Sequence, residues 1–130
     1  MHCLPTCLHD AEIVGLVLPS GLDEHTKELV LTVHTDQGHR QRLRFHGTMD
    51  WALSPFGSQN IILDFYIYDQ LTLTEHILEY FGVPEHWDAI IYSGTHRLYA
   101  FMASVGMAGV MLAQELSIDE DAATLQTEAR

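Results

Sequence analysis

Four of the first nine residues could hold a metal or act on a carbonyl: His2, Cys3, Cys7 and His9, with Asp10 next in line. Three readings compete for them. A structural zinc site takes four ligands, as a rule two close pairs from separate places. Cys3 and Cys7 are the only cysteines and the other histidines are scattered, so the second pair is missing. A nucleophile reading would combine Cys3 or Cys7 with His9 and Asp10. Catalytic triads converge from distant segments that are held rigidly, and a contiguous run offers no such preorganisation. The third reading is a lead-in, in which Leu8 begins burial and His9–Asp10 set the start of a first strand. It needs nothing that the sequence lacks, so no bound metal and no cofactor is expected. A Cys3–Cys7 bridge would close a very short loop and stabilise little.

The remaining chemistry is spread along the chain. His34, His39 and His46 share one hairpin, but His39 faces away from the other two, and no two of the nine histidines are spaced i, i+2 or i, i+4. Arg40, Arg42 and Arg44 alternate, which puts half of the six bases on one face of one strand. Glu28 and Asp64 are their expected partners. Asp64, Tyr66 and Tyr68 line the non-core face of another strand. Tyrosine and arginine dominate protein interfaces. Arg40, Arg42, Arg44, Asp64, Tyr66 and Tyr68 are therefore the expected partner-binding residues. If that polar sheet face instead served a small ligand or a reaction, His34, His46 or Asp64 would be its acid–base group. Trp51 and Trp87 are expected in loops. The chain has no glycine-rich phosphate loop, no G-x-S-x-G elbow and no close-spaced carboxylate pair on a helix face.

These residues must be positioned by a chain of 130 residues, one domain's length, of which 47% are hydrophobic and 18% charged. Eighteen acids against six bases give a net charge of −12. Such an excess disfavours nucleic acid and anionic membranes and favours cationic partners. No secretory leader is recognised, so a cytoplasmic location with reduced thiols is expected. The uncharged run from Leu98 to Gln114 is too short and too interrupted by Gly106 and Gly109 for a membrane span, and reads as a hairpin.

The strands follow from period-2 alternation. Residues 11–19 make the first. In 27–35, Leu29, Leu31 and Val33 share one face; in 39–47, Leu43 and Phe45 share one face. A three-residue loop, Asp36-Gln37-Gly38, matches the two apolar faces, placing Leu31 opposite Leu43 and Leu29 opposite Phe45. Such a loop wants a left-handed residue last, and Gly38 sits there. On the outer face Glu28 then opposes His46, Thr32 opposes Arg42 and His34 opposes Arg40. Residues 48–59 read as an irregular crossover with one helical turn after Thr48. In 60–69, Ile61, Leu63, Phe65 and Ile67 form the core face. Thr72 and Glu75 fit a capping box for a helix that carries Ile77, Leu78 and Phe81 and ends at Gly82 in a Schellman motif. Residues 88–92 suit a short strand. Residues 97–104 and 108–119 form a closing hairpin. The expected fold is a single α+β domain over residues 1–119, with about six mostly antiparallel strands, one main helix on one face and a frayed tail from 120 to 130.

In that order, "LHDAEI", "LRFHGTMDWALSPFGSQNIILDFYIYD" and "RLYAFMASVGMAGVMLAQELSIDE" resemble small bacterial proteins grouped with the immunity proteins of polymorphic toxin systems. The family is catalogued as immunity protein fifty, with its uncharacterised relatives. The resemblance covers most of residues 8 to 120, without a counterpart between Pro84 and His96 or before Leu8. It implies an α+β protein without catalytic residues that binds and neutralises a toxin, as in toxin–antitoxin pairs. The acidic chain suits a basic toxin domain through electrostatic steering. The expected function is thus a non-catalytic protein-binding module. The alternatives are a small-ligand binder or enzyme using the polar sheet face, and a homodimer pairing through its tyrosines.

Overall fold

The computed structural model describes residues 8–19 and 27–120. They form a single domain of eight antiparallel strands and two short helices: β1 (Glu12–Val17), β2 (Glu28–His34), β3 (Arg40–His46), β4 (Asp50–Leu53), β5 (Ile61–Tyr68), α1 (Glu75–Tyr80), α2 (Trp87–Tyr92), β6 (Arg97–Val105), β7 (Gly109–Ala113) and β8 (Glu115–Glu120). The sheet has eight strands rather than the expected six, and two helices rather than one. Glu120 belongs to β8; the expected tail beyond it lies outside the described residues, as do His2, Cys3 and Cys7.

Strand order is β4-β7-β6-β5-β1-β2-β3-β8. β3 and β8 sit at one edge and β4 and β7 at the other, yet β3 runs into β4 across Gly47–Met49 and β7 runs into β8 across Gln114. The β3·β8 ladder ends at His46↔Glu115, and the β4·β7 ladder resumes at Asp50↔Leu112. Between them, residues 47–49 face 113–114, one extra residue on the first path. Gln114 N–H donates to the His46 carbonyl at 2.9 Å, and Met49 N–H to the Leu112 carbonyl at 2.8 Å, so pairing bridges the gap. This is a β-bulge with Gly47 in the left-handed region at φ +62°. The two paths form one bent ribbon that belongs to both edges, and the sheet thereby closes on itself.

The enclosed core confirms the closure. Buried Leu29, Leu31, Leu43, Phe45, Ile62, Phe65, Tyr99, Phe101 and Met111 form one cluster, with Trp51, Leu53, Leu116 and Ile118 packed against it. Phe45 on β3 stacks on Phe65 of β5 at 6.2 Å and meets Tyr99 of β6 edge-on at 5.2 Å. In the linear strand order β1 and β2 separate β3 from β5, so these rings touch across the interior. A second cluster lies outside the wall: Leu98 and Ala100 of β6 and Val110 and Leu112 of β7, capped by Leu73, Trp87 and Ile91, with Tyr66, Tyr68, Ile77, Leu78 and Phe81 at its margin. β6 and β7 are therefore buried on both faces, and their sequences read as continuous apolar runs instead of alternating.

Several local expectations meet the structure directly. The β2·β3 hairpin has the expected register, Leu31↔Leu43, Leu29↔Phe45 and Glu28↔His46. Val83 N–H donates to the Leu78 carbonyl and Gly82 N–H to that of Glu79, the expected Schellman ending of α1. The run from Leu98 to Gln114 is the β6·β7 hairpin with its link to β8.

Others are corrected. The N-cap of α1 is Thr74, whose side chain accepts from Ile77 N–H; Thr72 instead belongs to a turn held by Asp69. Residues 48–59 contain β4 instead of a helical turn. Residues 88–92 lie in α2, where Trp87 and Ile91, four apart, share the buried face. On β5 the register shifts near Ile62, so Ile62 is buried and Ile61 and Leu63 are only half-buried. The freed Leu63 carbonyl accepts from His9 Nδ1 at 2.5 Å, which pins the lead-in to β5.

Two glycine substitutions test this architecture. Gly38 has φ +86° and nothing within 4 Å of an added Cβ, so Gly38→Val should cost roughly 1–3 kcal/mol through backbone strain alone. At Gly47 an added Cβ would lie 2.8 Å from Gln114 Cγ. Gly47→Ala should therefore cost more than Gly38→Ala, and Gln114→Ala should recover part of the difference. Urea unfolding of the singles and the double measures that coupling.

Candidate functional site

The six residues expected to form one polar sheet face occupy two separate surfaces. Arg40, Arg42 and Arg44 stand on the outer face of β3, whereas Asp64, Tyr66 and Tyr68 stand on the outer face of β5, with β1 and β2 between them. The tyrosines are partly roofed. Tyr66 and Tyr68 stack at 6.2 Å, and both pack on Phe81, at 5.6 and 6.1 Å. Partial burial, with Asp64 beside it, raises the Tyr66 phenol above its ordinary range. The tryptophans are not loop residues: Trp51 lies in β4, and Trp87 is fully buried on α2, its Nε1–H donating to Asp50 at 3.0 Å.

The first surface is the open outer face of β2, β3 and β8. Its cross-strand rows are Glu28–His46–Glu115, Val30–Arg44–Ser117 and Thr32–Arg42–Asp119. Arg44 donates through Nε to Asp119 at 2.5 Å and through Nη1 to Glu28 at 3.4 Å. The bond to Asp119 is the main cause of a guanidinium pKa raised above its usual value. His46 lies between two strands: its Nδ1 is 2.8 Å from Glu28 Oε2 and its Nε2 is 2.7 Å from Ser117 Oγ. Glu28, His46 and Ser117 are all half-buried. Beside them Val17, Leu18, Val30, Thr32, Arg42 and Arg44 line a cleft of about 400 Å³. Glu28 and His46 were readable as a pair from the hairpin. Ser117 was not, because nothing local in the sequence says that β8 lies against β3.

The second surface is the helical layer. Between residues 45 and 96 the chain has no lysine or arginine and seven acids: Asp50, Asp64, Asp69, Glu75, Glu79, Glu85 and Asp88. All stand on the two helices, their connections or the strands beneath. Two apolar hollows lie in this layer, and Glu79, Glu85 and Asp88 line the second of them. One, of about 580 Å³, lies among Ala52, Tyr80, Phe81, Met102 and Val110. The other, of about 400 Å³, lies among Leu78, Val83, Pro84, Glu85 and Asp88. Tyr80 is 60% exposed at the first, its hydroxyl 3.5 Å from Met102 Sδ. No group of three or more histidine, cysteine or acidic side chains arranged to hold a metal occurs among the described residues. Among the described residues no helix is long and apolar enough to cross a membrane.

Two measurements test these surfaces. Arg44 and its partners are about one-third to one-half exposed, so Arg44→Met should cost only about 0.2–1 kcal/mol, and less at high salt. His9 has a raised pKa, from its bond to the Leu63 carbonyl first and the Asp10 charge second. A raised folded value means that its stabilisation is complete below the unfolded pKa of about 6.5 and fades as pH rises through the folded one. Burial lowers the pKa of His96, so its share runs oppositely, fading as pH falls. Proton NMR should show His9 titrating above His96, and His9→Gln should remove the loss of stability on the alkaline side.

Compared with known proteins, the chain matches no family model, no curated protein and no solved structure.

Proposed function

We propose that this protein is a binding module for a basic protein, and that its acidic helical layer is the docking surface. The observation that carries the reading is the segregation of charge: seven acids and no lysine or arginine across residues 45–96, three of them, Glu79, Glu85 and Asp88, lining an apolar hollow. A single-signed rim with an apolar centre is the pattern of an interface whose charges set encounter rate and orientation while buried apolar groups set lifetime. An anionic ligand would be repelled from this side. The resemblance to toxin immunity proteins gives the reading its specific form, in which the partner is a basic toxin domain that the module neutralises by occupying it.

The test takes the coding sequences that neighbour this one, expresses any basic toxin domain found among them, and measures its binding by stopped-flow or surface-based kinetics. Association should slow about tenfold or more between low and high salt while dissociation changes little. The double reversal Glu79→Lys, Asp88→Lys should slow association at low salt, whereas Arg42→Glu on the opposite wall should not. Tyr80→Ala should speed dissociation. Equal association rates for wild type and the double reversal would remove the helical layer as the docking surface. Absence of any complex with the toxin domain would remove the immunity reading.

A further inference from the structure

We propose that Ser117 is an activated nucleophile, with His46 as its general base and Glu28 as the orienting carboxylate, and that this face of the sheet hydrolyses small esters. The inference goes beyond the binding reading and concerns the opposite wall, so either can fail without the other. It also revises the expectation of a chain without catalytic residues.

Geometry carries the proposal. A nucleophile, a base and an orienting group must stand within hydrogen-bond reach in series. Ser117 Oγ to His46 Nε2 is 2.7 Å, and His46 Nδ1 to Glu28 Oε2 is 2.8 Å. A carboxylate accepts only, so Glu28 places the proton of a neutral imidazole on Nδ1. Nε2 is then the acceptor, which is the role a base needs toward the serine hydroxyl. Charge pairing does not account for the serine: Arg44 already joins Glu28 and Asp119 without it. The three residues come from three adjacent strands of a closed sheet and are 71 and 18 positions apart in sequence at the two contacts. Their rotamers are held by rigid elements instead of by a loop. Arg44, bonded to the other oxygen of Glu28, fixes the carboxylate from behind.

The surroundings suggest the substrate. Arg44 is the cross-strand partner of Ser117, and Val30 is the next residue in the same row. Two strand spacings put Val30 about 10 Å from the serine. An acyl chain of about four to eight carbons would reach from Ser117 to the apolar floor made by Val17, Leu18 and Val30. The sheet's own N–H groups lie in its plane, committed to ladder bonds, so the charge developing on the carbonyl oxygen would face the guanidinium of Arg44. That is weaker than a preorganised pair of backbone donors, and turnover should be slow.

The reaction has two steps. Ser117 Oγ bonds to the ester carbonyl carbon while its proton passes to His46 Nε2; the ester C–O bond breaks, and the leaving oxygen takes that proton. Water, losing its proton to His46, then displaces the acyl group from Oγ, which regains the proton while the carboxylic acid departs.

The intact protein is mixed with 4-nitrophenyl butyrate, and separately with a fluorophosphonate followed by peptide mass mapping. Expected are a rapid release of about one equivalent of nitrophenolate before a slow steady rate, and phosphonylation at Ser117. Ser117→Ala should abolish both the burst and the label and lower the steady rate at least tenfold. His46→Gln should do the same, Glu28→Gln should have a smaller effect, and Ser104→Ala, at the exposed end of β6, none. Circular dichroism verifies that each variant is folded. A steady rate unchanged in folded Ser117→Ala would show ordinary imidazole hydrolysis by surface histidines and overturn the proposal. So would a label found on other residues but not on Ser117.

Discussion

Everything in this fold depends on the continuity of one two-stranded ribbon. β3 and β4 are two halves of one path, β7 and β8 two halves of another, and their ladder passes through the bend at Gly47 without losing its pairing. An open eight-stranded sheet would leave two edges to pair with other chains. Because the ribbon belongs to both edges, only its half-lengths, the outer sides of β4 and β8, remain free. The closure also creates the dry interior in which Phe45, Phe65 and Tyr99 meet. The extra residue at the bend is what lets the path turn from one wall to the other.

Closure divides the outside into two unlike surfaces. The helices cover the wall made by β5, β6 and β7, where double burial demands apolar residues, and the chain from 45 to 96 brings seven acids and no lysine or arginine to that side. The wall made by β2, β3 and β8 stays open, and it holds four of the five described bases, Lys27, Arg40, Arg42 and Arg44. Glu28, Glu115, Asp119 and Glu120 balance these bases on the open wall, so the uncompensated negative charge lies on the helical side and gives the molecule an electrical asymmetry on top of its net charge. An approaching cation is turned toward the helices before any contact forms.

What the sequence made legible was local and periodic. The β2·β3 register came from two independent requirements, matching apolar faces and a left-handed loop residue, and both act within a few residues. The Schellman ending of α1 was legible for the same reason. α2 was misread because a five-residue apolar run fits strand or helix equally, and only the buried pair Trp87 and Ile91 decides. β4, four residues long, carries too little alternation to detect. The shift on β5 arises from its neighbours: Ile62 is drawn inward by pairing with Ala11, whose carbonyl accepts its N–H at 2.9 Å. Likewise, Arg and Tyr residues with the same alternation could not be assigned to one wall or two before the strand order was known. Ser117 was silent because its neighbours come from strands more than seventy residues away.

The ribbon also sets a timetable for synthesis. β8 holds residues 115–120 and completes the pairing of β3, which leaves the ribosome about seventy residues earlier. Until then β3 has one bare edge. The nascent chain must therefore carry that exposed strand edge for several seconds at ordinary elongation rates. Its three arginines fall on that waiting strand, alternating with the apolar residues. Like charges brought together by pairing with another copy would repel, so the same arginines that decorate the finished wall protect the unfinished one.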